Sequence, residues 1–456
     1  MISRRHFTAG TLVAAGSLAA GGLALPALRT SAARAQVRAD LDLAIIGAGA
    51  AGLVAAHRAR EKKLTAKIFE AQGRIGGRVH TDESLGAGFE AGAFYIHFAE
   101  RNPWREIAER QKFELVDDNT LWGGFNVFRH GKPLPAEERS RRRGAFGRLS
   151  MELEREGRDA DLSFAEAARR HAPELLEAAQ GLTLLSLGED PEHVSIRDYQ
   201  ALDSGDDLVL PGGYGHLLEA HAKGLDIALD SPVSAIDLSG PAVRLTVPGG
   251  VVTARAVLLT ASIGVLQAGG IRITPDWPPE MQRALSGLRM GAMTKVALRM
   301  DGDRLGLSPW TQYFDQGDGD ELVNFEFWPF DRPLIVATFG GDYARSLAKA
   351  GEATAVSTIR DRLVAILGES QRTRLPQGRL AGWSADPHAL GSYSVALPGR
   401  MEARRVLERP VADRLWLAGE ANAGPASMTA GGAALSAQRA VDDIARRLAT
   451  GAIRRD

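Results

Sequence analysis

Short apolar runs and longer segments of helical period follow one another along this chain. The runs at 42–46, 66–69 and 257–261 are apolar almost throughout, which predicts buried strands. Alternation or apolar character predicts further strands at 208–210, 227–247, 295–299, 311–314, 322–327 and 334–339. Residues 105–201 carry leucine and alanine stripes beside charged positions, so this segment is predicted to be mostly helical. The pattern as a whole predicts an α/β fold.

The first predicted strand runs into a glycine motif of the form G-x-G-x-x-G. Gly47 would permit the tight turn, Gly49 would let the backbone approach a pyrophosphate, and Gly52 would let helix and strand pack closely. Glu70 ends the second strand and could accept hydrogen bonds from ribose hydroxyls. These features predict a dinucleotide-binding βαβ unit, the alternative being a glycine-rich turn in another α/β protein. The motif alone does not separate NAD from FAD.

A second glycine and arginine loop follows Glu70 directly. It could bring backbone N–H groups and two guanidinium groups to a pyrophosphate or a flavin edge. Its residues, together with Glu70, resemble the pattern E-A-x-x-R-x-G-G-R of the flavin-containing amine oxidases, the group of monoamine and polyamine oxidases. The matching positions after Glu70 are Ala71, Arg74, Gly76, Gly77 and Arg78. The alternative is a basic surface turn.

The resemblance extends to the end of the chain and implies FAD as the cofactor. The segment 414–420 resembles the family's second FAD fingerprint, with Gly419 and Glu420 near the flavin ribityl and pyrophosphate. The helix that follows, rich in small residues at 431–437, could lie close against the cofactor. Val233, within the similar segment 211–236, would also contact FAD.

The resemblance implies a Rossmann-like FAD-binding domain with an interleaved α+β substrate domain. The FAD-binding domain is predicted at 38–98, 205–288 and 382–450. The substrate-binding domain is predicted at 99–204 and 289–381.

Four further residues match positions near the substrate in that family. Lys295 stands where the family places a lysine that holds a water against the flavin N5 atom; the alternative is a surface lysine on an edge strand. Tyr393 would form one wall of an aromatic cage, unless it is a core tyrosine. Thr429 occupies the place of a second cage tyrosine, so the cage is incomplete. His97 would line the substrate channel, or else be a structural histidine.

The absence of cysteine removes several kinds of chemistry. It excludes disulfides, thiolate metal sites and thiol catalysis, and it excludes the thioether that links flavin to some relatives. Ser392 stands where those relatives carry the linked cysteine, so FAD is predicted to be noncovalent. No histidine spacing indicates a metal site. The net charge of −1 gives no reason to expect nucleic acid as a partner.

The implied reaction is oxidation of an amine C–N bond to an imine, which hydrolyses to an aldehyde or ketone. Oxygen, giving hydrogen peroxide, or another acceptor would reoxidise the flavin. Amino-acid oxidases of the same superfamily usually carry an arginine near the position of Phe94–Ile96, and its absence here favours an amine over an amino acid. The alternatives are an L-amino-acid oxidase, a flavin desaturase, or an exported FAD-binding protein without catalysis.

The first 35 residues resemble a twin-arginine signal peptide. Arg4 and Arg5 precede a glycine-broken apolar stretch, and 33–35 could be the cleavage site. We therefore expect the twin-arginine export machinery as a partner and a periplasmic or secreted location. The alternative is an uncleaved membrane anchor.

Overall fold

The computed structural model describes residues 39–156, 161–171, 174–203 and 205–453. The predicted signal segment 1–35 lies outside the described residues. The chain from residue 38 onward belongs to one compact unit, and its division into the two interleaved domains stays a prediction.

Helices occur throughout the described chain. In order they are α1 (Ala50–Glu61), α2 (Pro103–Arg110), α3 (Ala136–Glu156), α4 (Phe164–His171), α5 (Glu174–Leu182), α6 (Ile196–Gln200), α7 (Tyr214–Ala222), α8 (Ile263–Gln267), α9 (Pro279–Ser286), α10 (Gly341–Ala350), α11 (Glu352–Leu367), α12 (Ala403–Val406) and α13 (Ala430–Thr450). A π-helix follows α5 at Thr183–Leu187, and 3₁₀ turns lie at Asp118–Thr120, Pro329–Asp331, Glu369–Arg374, Glu420–Asn422 and Gly424–Ala426. No helix in the described part of the chain has the length and apolar character needed to cross a membrane.

The strands are distributed over two large sheets and several small ones. In order they are β1 (Leu41–Ile46), β2 (Ala66–Phe69), β3 (Thr81–Asp82), β4 (Phe89–Glu90), β5 (Tyr95–Ile96), β6 (Val116–Asp117), β7 (Phe125–Arg129), β8 (Lys132–Pro133), β9 (Leu208–Val209), β10 (Ile227–Ala228), β11 (Ala235–Asp237), β12 (Val243–Val247), β13 (Gly250–Leu259), β14 (Arg272–Thr274), β15 (Leu288–Met290), β16 (Thr294–Arg299), β17 (Thr311–Gln316), β18 (Leu322–Phe327), β19 (Leu334–Phe339), β20 (Gln377–Ala381), β21 (Ser394–Ala396) and β22 (Leu415–Leu417).

The first large sheet surrounds β1 and has the order β10-β2-β1-β13-β12-β11-β14, with β22 also paired to β13. Strand β1 pairs in parallel with β2 and β13. Leu43 and Ile45 face the core beneath α1 and α13, whereas Ala44 and Ile46 face a second core on the opposite side. Burial on both faces explains why residues 43–46 of β1 are all apolar rather than alternating.

The second large sheet has the order β20-β16-β19-β18-β17-β7-β8. Its pairs are antiparallel except for the parallel pair of β17 with β7. One face of β16, β18 and β19 packs against α10 and α11 through residues such as Val296, Phe325 and Ala337. The opposite face carries polar side chains, among them Lys295, Asn324 and Glu326, beside the buried apolar residues Ala297, Leu334 and Val336.

The α/β fold class predicted from the sequence is confirmed, with both parallel and antiparallel pairing. The described part of 105–201 is mostly helical, as predicted, but it also contains the short strands β6, β7 and β8, which the sequence did not predict. Strand β7 is stabilised by pairing with β17, where Val127 lies opposite Phe314. Such a distant partner leaves no local periodicity that could identify the strand.

Candidate active site

A cavity of about 820 Å³ extends from the turn after β1 to the polar face of the second sheet. Its walls bring together residues that are far apart in the sequence. The predicted site residues that line it are Gly47, Gly49, Glu70, Ala71, Gly76, Gly77, Arg78, His97, Val233, Lys295, Tyr393, Gly419, Glu420 and Thr429. Gly52 and Arg74 are the predicted residues that do not line it.

The three glycines of the G-x-G-x-x-G motif have different structural roles. Gly47 has a φ of +103°, which favours glycine. A Cβ on Gly52 would lie 1.9 Å from the carbonyl oxygen of Gly47, so Gly52 allows α1 to pack on the turn. A Cβ on Gly49 would meet nothing closer than the carbonyl oxygen of Gly76 at 3.9 Å. Because Gly49 precedes α1 and lines the cavity, a side chain there would occupy the cavity near the free N–H groups of the helix.

Glu70 lines the cavity and also fixes the turn. Its carboxylate accepts hydrogen bonds from the backbone N–H groups of Ala48 at 2.6 Å and Gln72 at 2.9 Å. An ionised carboxylate has about four lone-pair sites, so these contacts leave acceptor capacity for ribose hydroxyls.

The two arginines of the following loop differ in position. Arg74 donates to the carbonyl oxygens of Ile75 and Gly77 at 3.2 and 3.0 Å, so it holds the loop together instead of reaching into the cavity. Arg78 lines the cavity and donates to the Glu420 carboxylate at 3.1 Å. Arg78 also donates to the carbonyl oxygen of Ser392 at 2.7 Å, so it joins three separate segments of the chain at the cavity wall.

Lys295 enters the cavity wall from β16. Its ammonium group donates to the carbonyl oxygens of Glu90 and Gly92 at 2.8 and 2.9 Å and lies 5.6 Å from the centre of the Phe94 ring. Burial lowers the pKa of Lys295, and the carboxyl groups of Glu90 and Glu326 oppose that shift. An ammonium has three donors, so one is left for a ligand or water in the cavity.

Tyr393, Thr429 and His97 all line the cavity, but each is also engaged by the protein. The Tyr393 hydroxyl donates to the carbonyl oxygen of Ser186 at 2.9 Å. The Thr429 hydroxyl accepts from the N–H of Gly432 at 2.8 Å and is the N-cap of α13. The His97 Nδ1 atom lies 3.0 Å from the Asp207 carboxylate.

Sequence reasoning missed the polar residues that β18 contributes to the cavity, Asn324 and Glu326. Burial raises the pKa of Glu326 to about 7, although Lys295 opposes the shift. Neither a hydrogen bond nor an ion pair to another described residue engages the Glu326 carboxylate. A signal was present in the sequence, because Asn324 and Glu326 alternate with the buried residues Val323, Phe325 and Phe327, and polar positions on one face of a core strand need an explanation.

Phe330 was also missed. It lines the cavity from the turn between β18 and β19 and has a φ of +51°, an uncommon conformation for a bulky residue. Its ring lies 6.0 Å from that of Phe94 and 4.8 Å from that of Trp310, so the turn holds an aromatic wall beside the polar face.

Comparison with known proteins places this arrangement in a family. Residues 50–445 match the flavin containing amine oxidoreductases. The chain belongs to that family. A probable polyamine oxidase 4 of Arabidopsis thaliana is 28% identical over 83% of this chain and 81% of its own length, and a polyamine oxidase 4 of Oryza sativa subsp. japonica is 25% identical over 95% and 93%. A variant of a putrescine oxidase redesigned in cofactor binding shares the fold, with a TM-score of 0.74, 19% identity and coverage of 89% of this chain and 99% of that chain.

Membership in the family makes this protein a flavin-dependent amine oxidoreductase. Its cavity fits the cofactor on structural grounds. Gly49 leaves open space at the N-terminus of α1, and Glu70 retains acceptor capacity beside it. The cavity then continues past Arg78 to Lys295 and Tyr393, as a ligand with a long adenine dinucleotide body and a reactive ring requires.

Proposed function

We propose that this oxidoreductase binds FAD without a covalent bond and oxidises an extended amine that carries a second positive charge. The observation that carries the proposal is the Glu326 carboxylate, which lines the cavity and has no cation bound to it among the described residues. A desolvated carboxylate of this kind is costly unless a cationic group is supplied, and a di- or polyamine supplies one.

The distance between Lys295 and Glu326 suits a substrate whose reacting amine lies near Lys295 and whose second amine lies near Glu326. Thr338 of β19 lies opposite Lys295 of β16 and opposite Asn324 of β18, so Glu326 is two strands from Lys295. Neighbouring strands are about 4.8 Å apart, which separates the two strand axes by about 10 Å. A substrate with one amine near Lys295 and Tyr393 and a second amine near Glu326 would span this face.

The cationic groups of the cavity favour an amine over an α-amino acid. The arginine and lysine side chains among the described lining residues are Arg78, Lys295 and Arg332. Arg332 donates to the carbonyl oxygens of Gly88 and Pro211, and Arg78 is bound to Glu420. Both arginines therefore already bind acceptors of the protein, so a substrate carboxylate would have to share them or take the remaining donor of Lys295. Burying a carboxylate without such a partner costs several kcal/mol, about 2–7 even for a neutral polar group.

Noncovalent binding is supported by the sequence and by Ser392. No cysteine exists to form a thioether. The Ser392 hydroxyl accepts a hydrogen bond from the N–H of Met293 at 3.0 Å and helps to order the cavity wall.

The chain's contribution to the reaction would be to position and desolvate the amine. When bound, FAD supplies the two-electron acceptor, and oxygen is the terminal acceptor that we propose. The aromatic rings of Phe94, Phe330 and Tyr393 remove water around the reacting nitrogen, which favours the neutral amine. The ionised Glu326 would hold the distal ammonium and fix the register of the chain.

The test compares rates of anaerobic flavin reduction by α,ω-diamines, monoamines of equal chain length and the corresponding α-amino acids. We expect diamines to react fastest, with amino acids such as lysine well below cadaverine. Acid precipitation of the purified protein should release all of its flavin. A consistent preference for amino acids would replace this proposal with an L-amino-acid oxidase, and no reduction by any compound would favour an FAD-binding protein without catalysis.

We also propose export through the twin-arginine pathway to the periplasm or the exterior. Arg4, Arg5 and the apolar stretch after them support this proposal. Export of a folded protein would suit an enzyme that acquires its flavin before it crosses the membrane.

A further inference from the structure

A π-helix forms the wall of the cavity behind Tyr393. Leu185 and Ser186 belong to this π-helix and line the cavity. The Tyr393 hydroxyl donates to the carbonyl oxygen of Ser186 at 2.9 Å. Single turns of π-helix are frequent at functional sites because they displace backbone groups from their usual direction. The position of the π-helix therefore affects the position of the Tyr393 ring.

Glu189 follows the π-helix and is completely buried. Its N–H donates to the carbonyl oxygen of Thr183, the first residue of the π-helix, at 3.2 Å. Arg345 donates to the Glu189 carboxylate through both terminal nitrogens, and Arg289 donates to it through Nε at 2.8 Å. A buried carboxylate bound by two guanidinium groups fixes the relative positions of the three segments that carry them, because each hydrogen bond requires a defined geometry.

The same arginines lie among other acidic groups. Asp342 pairs with Arg345 at 2.7 Å, but its side chain is 66% exposed. Burial, followed by the charges of Glu189, Asp342 and Asp320, raises the pKa of Asp190 to about 7. The guanidinium groups of Arg289 and Arg345 thus offset the repulsion between these neighbouring carboxyl groups.

A series of hydrogen bonds leads from Arg345 to the backbone of Tyr393. Arg345 also donates to the carbonyl oxygen of Met290 at 2.9 Å. The next residue, Gly291, donates its N–H to the carbonyl oxygen of Tyr393 at 2.7 Å and accepts from the N–H of Ser392 at 2.8 Å. A Cβ on Gly291 would lie 2.8 Å from the carbonyl oxygen of Leu187, so this approach of the two segments requires glycine.

We propose that Glu189, Arg289 and Arg345 act as positioning residues that hold Tyr393 in the orientation required by the amine substrate. None of the three lines the cavity. They act through the π-helix, which supplies the acceptor for the Tyr393 hydroxyl, and through Met290 and Gly291, which hold its backbone. This inference rests on the proposed binding of the amine beside Tyr393.

The test is a double-mutant cycle on the flavin-loaded enzyme with Glu189→Gln and Tyr393→Ala. We expect Glu189→Gln to lower the anaerobic rate of flavin reduction by a diamine by about ten-fold, since displacement of a positioned group by about 1 Å can cost up to about a hundred-fold. In the Tyr393→Ala background the same change should alter the rate by less than about two-fold, because the ring is absent.

FAD content and Tm are measured for every variant. Equal losses in the two backgrounds, or no loss from Glu189→Gln in the otherwise unchanged enzyme, would overturn the inference. A general failure of the proposed amine reaction would appear separately, as absence of flavin reduction in the unchanged enzyme. If Glu189→Gln does not fold, Arg345→Lys takes its place, because it keeps the charge but loses the two-pronged contact. Asp342→Asn is the matched control, and we expect the reduction rate to stay within two-fold.

Discussion

Replacing Glu326 by glutamine should separate substrates that carry a second charge from those that do not. The substitution keeps the shape of the side chain and removes the charge that would hold a distal ammonium. A hydrogen bond to a charged group contributes about 1.5–3 kcal/mol. At about 1.4 kcal/mol for each ten-fold change, kcat/KM for a diamine should fall by about 10- to 150-fold. A monoamine of equal chain length has no distal ammonium to make this contact, so its kcat/KM should change by less than about three-fold.

The raised pKa of Glu326 adds a dependence on pH. Its carboxyl group titrates near 7 in the folded protein, whereas a diamine's distal ammonium stays charged up to about pH 10, like lysine. We therefore expect KM for diamines to fall as pH rises from 6 to 8, and Glu326→Gln to lose this dependence. The KM for monoamines should not show this pH dependence in either the unchanged enzyme or Glu326→Gln.

A rise in pH should lower the free energy of unfolding, although it strengthens the binding of diamines. Because burial raises the pKa of this acid from 4.5 to about 7, its contribution to stability is present at low pH and is lost as pH rises through 7. The ionised carboxylate is therefore destabilising in the enzyme without substrate. Glu326→Gln should consequently be at least as resistant to urea at pH 8 as the unchanged protein, which rules out unfolding as the cause of lost activity.

The assay is stopped-flow reduction of the flavin by a series of α,ω-diamines and matched monoamines between pH 6 and 8. Glu280→Gln, a change of an exposed carboxyl group on α9, is the control and should behave as the unchanged enzyme. Equal losses for diamines and monoamines would refute the reasoning, and so would a Glu326→Gln enzyme that keeps the pH dependence.

Variants at three further places in the chain test the cofactor site and export. Lys295→Met should slow oxidation of the reduced flavin by oxygen by about ten-fold or more while changing anaerobic reduction less, and an unchanged oxygen reaction would make the lysine structural. Gly49→Val should yield a folded protein without FAD, whereas Gly49→Ala, whose added Cβ is 3.9 Å from its nearest protein neighbour, should fold normally; FAD content and Tm measure both. Arg4→Lys with Arg5→Lys should leave unprocessed, flavin-loaded protein in the cytoplasm, and normal periplasmic processing of that double variant would contradict the export proposal.

Several elements could be predicted from the sequence because their signals are local. The run 42–46 predicted β1, and the place of Glu70 at the end of the next strand indicated that this acid belongs to the cofactor site. Gly47 and Gly52 have steric reasons within the turn itself, a positive φ and a 1.9 Å approach to backbone. The roles of Lys295 and Tyr393 depended on resemblance, because a single lysine or tyrosine has no local pattern that indicates a cavity.

The sequence by itself determined the α/β class, the glycine turn and the absence of thiol chemistry, because these follow from composition and from spacings of a few residues. Only the tertiary structure decided that Arg74 binds its own loop and that Glu326 faces the cavity. It also decided that β7 pairs with β17, within a segment predicted to be mostly helical. These outcomes depend on contacts between distant segments, and the free energy of such contacts comes from burial and hydrogen bonding that no short stretch of sequence contains.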